Sequence, residues 1–256
     1  MIGRILAIAD NTFREAIRNK VLYSIVFFAV GMIGSSAFLG QLSLNADVKV
    51  IKDFGLTAIS AFGVIIATFI GVSLVYKEVE RRTVFVLMPK PIRRFEFILG
   101  KYVGIVMTLF VLVVVMSTFL FLMLLSYDEA FDVTLLQAVL LIFIEIMVMT
   151  SVALLFSSFS TPFLSGFLTL GVFVLGRLAV DLRGLTAKVQ NVIADYLIVG
   201  VSRVLPNLDT FNISSRVAYK AIVPWSYVGE SAAYGLLYIS ITLLIATALF
   251  QRRDFL

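Results

Sequence analysis

The chain has 256 residues, of which 61% are hydrophobic and only 14% charged, against roughly 25% charged in an ordinary soluble domain. Cysteine and histidine are both absent, which excludes disulfides, thiolate chemistry, imidazole bases and nearly all transition-metal sites. The formal net charge of +5 is read as the Lys/Arg bias of a membrane protein and not as an affinity for nucleic acid.

The chain opens with IGRILAIADNTFREAIRNKVLY. Ile2, Ile5, Leu6, Ala9, Phe13 and Ile17 recur at steps of three and four, with Asp10, Arg14, Glu15 and Arg18 elsewhere on the wheel. This pattern predicts an amphipathic helix over residues 1–20, lying at a membrane interface beside anionic headgroups. Such a helix either anchors the first span or bears on a cytoplasmic partner.

Apolar runs follow at 21–40, 56–76, 102–127, 134–156, 162–180 and 228–250, interrupted by charge only at Glu145, Arg177 and Glu230. Each is long enough to cross a hydrocarbon core of about 30 Å as a helix. The expected fold is therefore all-α and polytopic, one membrane domain over 1–256 with six spans and both termini on one side. Because basic residues precede the first run and more spans follow it, it is read as an anchor and not as a cleaved signal.

Orientation follows from Lys and Arg. Arg4, Arg14, Arg18 and Lys20, seven cations between Lys77 and Lys101, and Arg252 and Arg253 make thirteen on one side, against seven on the other. The bias places both termini and the 77–101 loop in the cytoplasm. Lys49 and Lys52 fall in the first outer loop.

That loop, YKEVERRTVFVLMPKPIRRFEFILGKYVG over 76–104, is the one dense block of charge. Its charges cannot lie in hydrocarbon, where a central Lys, Arg or Asp costs about 2.5–3.5 kcal/mol even on the lenient insertion scale. Residues 77–88 are helix-compatible, Pro89 and Pro91 force an extended break, and 93–101 resumes as helix into the third span. The segment is expected to stand proud of the membrane as helix, proline elbow, helix. Gly100 and Gly104 form G-x-x-x-G at the start of that span, a spacing shared by close helix contacts and ordinary packing.

Glu145 lies near the centre of the fourth run, in LLIFIEIMVM. An intramembrane carboxylate needs a partner, and within this chain the nearest choice is Arg177, in the outer half of the fifth run, whose long stem can reach inward. The pair serves either as a structural bridge or as a contact at a subunit interface or in a substrate path. Residues 183–227 are too polar for a clean crossing, yet Leu185, Val189, Val192, Ile193, Tyr196, Leu197 and Val204 recur at helical spacing. An amphipathic helix on or partly in the outer leaflet is expected, ending at LPNLDTFN, where Pro206, Asn207 and Asp209 form a turn.

The 76–104 loop resembles the cytoplasmic loop of ABC transporter permeases of the type-2 exporter class. The matching residues are Glu78, Thr83, Leu87, Lys90, Pro91, Arg94, Glu96, Gly100 and Lys101, and TFREAIRNKVLY is similar to the family's interfacial connecting helix. PNLDTFN looks most like permeases of nitrous-oxide-reductase maturation and gliding motility. The resemblance implies a permease of the inner membrane that dimerises, as a homodimer or with a second permease, and exports its substrate. It implies a coupling helix after Glu78 seated in a separate ATP-binding subunit, with Glu78, Glu80, Arg81, Arg82, Thr83, Arg94 and Lys101 as coupling residues. It also implies that the segment before the sixth span, around Pro206, Asn207 and Asp209, forms an outer gate or re-entrant helices.

ATP and Mg would then belong to the partner subunit, and this chain would bind no cofactor. In agreement, the one Gly-Lys, Gly100-Lys101, is followed by Tyr102 and lacks the upstream glycine of a phosphate-binding loop. No catalytic or metal residues are expected. An intramembrane enzyme lacks a nucleophile with its base; an ATP-independent channel or membrane scaffold fits the spans equally well and is separated by whether an ATPase accompanies the protein.

Overall fold

The computed structural model describes residues 2–42, 47–80, 94–127, 129, 132–186 and 205–252. Its regular elements there are all helical: α1 (Ile2–Ile17), α2 (Lys20–Gln41), α3 (Asp47–Glu80), α4 (Arg94–Leu125), α5 (Val133–Ser157), α6 (Pro162–Thr186), a 3-10 turn (Leu208–Phe211), α7 (Ser214–Ala218) and α8 (Trp225–Arg252). Helices α2, α3, α4, α5 and α8 are long and apolar enough to cross a membrane. The apolar part of α6, Pro162–Leu178, is shorter and supplies the sixth crossing.

The helix boundaries have local causes. Asn19 ends α1 and starts α2, accepting the Val21 amide at 3.1 Å. Asp132 does the same for α5, accepting from Thr134 at 3.0 Å. Both satisfy donors that a helix start leaves free. The outer surface carries Phe27, Phe28, Phe163 and Phe167, all exposed, far more apolar area than a soluble monomer tolerates and what acyl chains would cover.

Helices α3 and α5 form the centre of the bundle, while α2 and α8 stand at its edge. The two central helices approach closely because α3 presents glycines: a methyl at Gly71 would lie 3.1 Å from the Ala153 methyl, and one at Gly63 would strike the Ile146 side chain. Close backbone approach of this kind is the usual way helices gain packing in lipid.

Helix α3 departs from expectation at its start. It begins at Asp47, nine residues before the apolar run, so Lys49 and Lys52 belong to the helix and not to a loop. Lys52 is buried with its ammonium 3.2 Å from Glu129; a charge that finds a partner can be folded into a helix end that hydropathy alone assigns to water. At its other end α3 continues unbroken to Glu80, giving 34 residues and roughly 50 Å at 1.5 Å per residue. It therefore projects beyond the hydrocarbon.

Candidate functional site

At the α1 end of the bundle, α1 lies across α4. Gly100 and Gly104 make the seat: a Cβ at Gly100 would be 2.7 Å from Ile8 Cβ, and one at Gly104 would be 2.6 Å from the Ala9 carbonyl and 2.6 Å from Thr12 Cβ. The G-x-x-x-G is a close helix contact within this chain, with no room for a methyl. Charges flank it. Arg4 Nη1 lies 3.8 Å from Glu96 Oε2, and Lys101 Nζ lies 3.9 Å from Glu15 Oε2. Lys101 also sits 5.8 Å above the Phe97 ring, which stacks on Phe250.

Lys101, expected among the coupling residues, is covered by α1 in this chain. It is 1% exposed, because the two glycines draw α1 down over it. Its position suits it to hold the interfacial helix against the third span. Glu78 and Glu80 fall in the last turn of α3, and Arg94 opens α4. Arg81, Arg82 and Thr83 lie outside the described residues, as does the proline elbow.

Halfway along the bundle three helices meet at a polar cluster. Arg177 on α6 donates from Nε to Glu145 Oε1 at 3.0 Å and from Nη2 to Oε2 at 3.0 Å. Ser60 on α3 completes it, accepting from Arg177 Nη2 at 2.5 Å and donating to Glu145 Oε2 at 2.7 Å. The fork geometry is the strong form of a carboxylate pair. Glu145 is fully buried, and the guanidinium lies over the Phe173 ring at 5.6 Å. The pairing of Glu145 with Arg177 was expected from sequence; Ser60 was not, since a serine in an apolar run usually bonds its own helix.

One residue before Arg177, Gly176 admits the 3-10 turn. A Cβ there would lie 2.8 Å from the Pro206 carbonyl and 3.0 Å from Leu208. The turn is held on its other side by α8: the Asn207 amide donates to Tyr234 Oη at 2.9 Å, Tyr227 Oη donates to the Thr210 carbonyl at 2.8 Å, and Phe211 stacks on Tyr234. Pro206, Leu208 and Phe211 are buried and Asp209 is exposed. The end of LPNLDTFN thus packs into the bundle beside Gly176 and Tyr234, in keeping with the re-entrant one of the two arrangements expected for this segment. The physical reason is Gly176, which opens a notch for it. Residues 187–204, including most of the expected amphipathic helix, lie outside the described residues.

The end opposite α1 has its own charge cluster. Glu129 accepts from Lys220 at 3.0 Å and from Lys52 at 3.2 Å, tying α3 to the loop before α5 and to the end of α7. The Lys220 hydrogen bond holds the Glu129 carboxyl below its ordinary range; partial burial opposes this and Lys52 adds to it. Lys220 takes a left-handed conformation, φ 53°, closing α7 through Ala221 N to Arg216 O at 2.9 Å and Lys220 N to Val217 O at 3.1 Å, a Schellman ending normally filled by glycine. Beside it is a cleft of about 420 Å³ lined by Asp47, Lys49, Tyr127, Glu129, Tyr219 and Lys220. No group of three or more Asp or Glu suited to a metal occurs among the described residues.

Fold and site together define a polytopic helical membrane protein with a charged, projecting end and a buried polar cross-tie. Residues 6–255 match the family described as ABC-2 family transporter protein. The chain belongs to that family: it is a transmembrane permease of an ABC transporter, a multi-pass membrane protein whose class works with an ATP-binding subunit. No individual curated protein is similar enough to the chain to count as a match.

Proposed function

We propose that this chain couples ATP hydrolysis by a separate ATP-binding subunit to export of a substrate across the inner membrane. Two permeases, identical or not, form the path, and both termini with the 77–101 segment face the cytoplasm. ATP and Mg sit in the partner.

The observation that carries this reading is the continuity of α3. One uninterrupted helix runs from Lys52, at the outer charge cluster, past Ser60, at the mid-membrane cross-tie, to Glu78 and Glu80 at the charged end. A push delivered near Glu78 by a closing ATPase dimer would therefore tilt a single rod. Through Ser60 and Arg177 the tilt reaches α6, and through Gly176 it reaches the turn at Pro206, Asn207 and Asp209, which acts as the outer gate. Rigid-body rocking of packed helices suffices. Glu78, Glu80, Arg81, Arg82, Thr83 and Arg94 form the contact with the partner.

Reversal of charge at Arg81 and Arg82 together tests it in the reconstituted complex. The expected result is normal insertion with ATP hydrolysis no longer linked to substrate movement. Normal transport by that double variant would overturn the assignment.

A further inference from the structure

At the elbow between α1 and α2 lies a polar cleft of about 550 Å³, lined by Asn11, Arg14, Glu15, Arg18, Asn19 and Lys20. Three of its six residues are cations. Arg14 is engaged by Asp10 at 3.0 Å and Glu15 by Lys101, whereas Arg18 and Lys20 form no ion pair among the described residues. The cleft also opens on the first turn of α2, where the positive end of the helix dipole adds to the attraction for an anion.

What continues from the cleft is apolar. Lys20, Tyr23, Phe27 and Gly31 fall at steps of three and four on α2, so they make one stripe down the helix. All four are exposed, Phe27 by 76%, and a Cβ at Gly31 would meet nothing within 4 Å. The stripe begins at the cations and descends a membrane-spanning helix, so hydrocarbon covers it. On α1, Ile2 and Leu6 are exposed as well, which keeps that helix at the bilayer surface.

We propose that this elbow is a binding site for an anionic phospholipid, its phosphodiester headgroup held by Arg18 and Lys20 in the cleft and one acyl chain lying along Tyr23, Phe27 and Gly31. An acidic face of a protein partner would use the cations and leave the stripe unexplained; a free phosphate would do the same. The lipid accounts for both. A bound headgroup would fix the angle between the interfacial helix and the first span, and with it the seat of α1 on Gly100 and Gly104. The inference concerns the permease by itself and stands apart from any linkage to ATP.

The test uses the full-length protein, purified in detergent and incubated with mixed micelles containing dioleoyl-phosphatidylglycerol or dioleoyl-phosphatidylcholine, with tightly retained lipid counted by native mass spectrometry. The wild type is expected to retain phosphatidylglycerol in preference to phosphatidylcholine, and Arg18→Gln with Lys20→Gln to lower that retention about thirtyfold, as expected for two cations near an anionic surface. Phe27→Ala should lower it with the cations intact, and glycerol phosphate alone should not compete. Arg216→Gln, at the opposite end, should leave retention unchanged. Equal retention by the double variant, an equal loss with Arg216→Gln, or competition by glycerol phosphate at the concentration of the lipid would overturn the site. So would a double variant that keeps its lipid and instead loses a co-purifying ATP-binding subunit.

Discussion

Two carboxylates in this protein each tie three elements together, and they do so at different depths. Glu145, fully buried, joins α3, α5 and α6 through Ser60 and the fork of Arg177; Glu129, 18% exposed at the side chain, joins α3, its own loop and the end of α7 through two lysines. The first pair has no water to fall back on, so every donor and acceptor must be met within the cluster. The second tolerates flexible ammonium groups at single points. Depth, more than the number of charges, decides which cluster the fold depends on.

That comparison is broken most severely by Glu145→Ala. Removing the carboxylate leaves the Arg177 charge uncompensated inside the bundle and should cost about 3–5 kcal/mol, read as a loss of folded protein in a detergent-denaturation series. Glu145→Gln keeps the shape and should cost less, with transport rather than assembly as the sharper readout; unchanged transport and assembly in this variant would remove the cluster from the mechanism.

Next in size is the seat of α1. Gly104→Ala places a methyl 2.6 Å from a carbonyl and from Thr12, an overpacked contact that should cost about 1–3 kcal/mol or lift α1 away from Lys101. Protease sensitivity of the α1–α2 elbow would report the lifting.

At the Glu129 cluster the effects are smaller and depend on solvent. Glu129→Gln should cost about 1 kcal/mol, with the loss shrinking in high salt. The sign of its pH dependence is fixed by the lowered carboxyl: its stabilisation is present above the unfolded value near 4.3 and is lost as pH falls through the folded one. The gap between wild type and Glu129→Gln should therefore close on acidification below about pH 4. Smallest of all is Lys220→Gly, which relieves a left-handed backbone and removes an ion pair; the two terms oppose at about 1 kcal/mol each, so a thermal shift within a few degrees is expected.

Sequence made some of this visible and hid the rest for identifiable reasons. Crossings were legible because apolar runs of span length have no other use. Glu145 and Arg177 stood out because charges in such runs are rare. Ser60 did not, since serines and threonines in spans normally bond the preceding turn, as Thr68 does to Val64 and Thr108 to Gly104. Lys52 looked solvated because its partner is 77 residues away. The turn formers Pro206, Asn207 and Asp209 announced a turn without its depth, which is set by a notch at Gly176 on another helix. For Lys101, the charged stretch around it suggested exposure, while the glycines beside it decided burial.

The central claim is that the charged end of α3 bears on an ATP-binding subunit. Because the chain has no cysteine, Glu78→Cys gives a single reactive position to which a photocrosslinker can be attached, with Lys49→Cys as the reference at the opposite end. On illumination of the intact complex, Glu78→Cys should yield an adduct with the ATP-binding subunit and Lys49→Cys none. Adducts with that subunit from Lys49→Cys alone, or from neither position in a complex that hydrolyses ATP, would contradict the account.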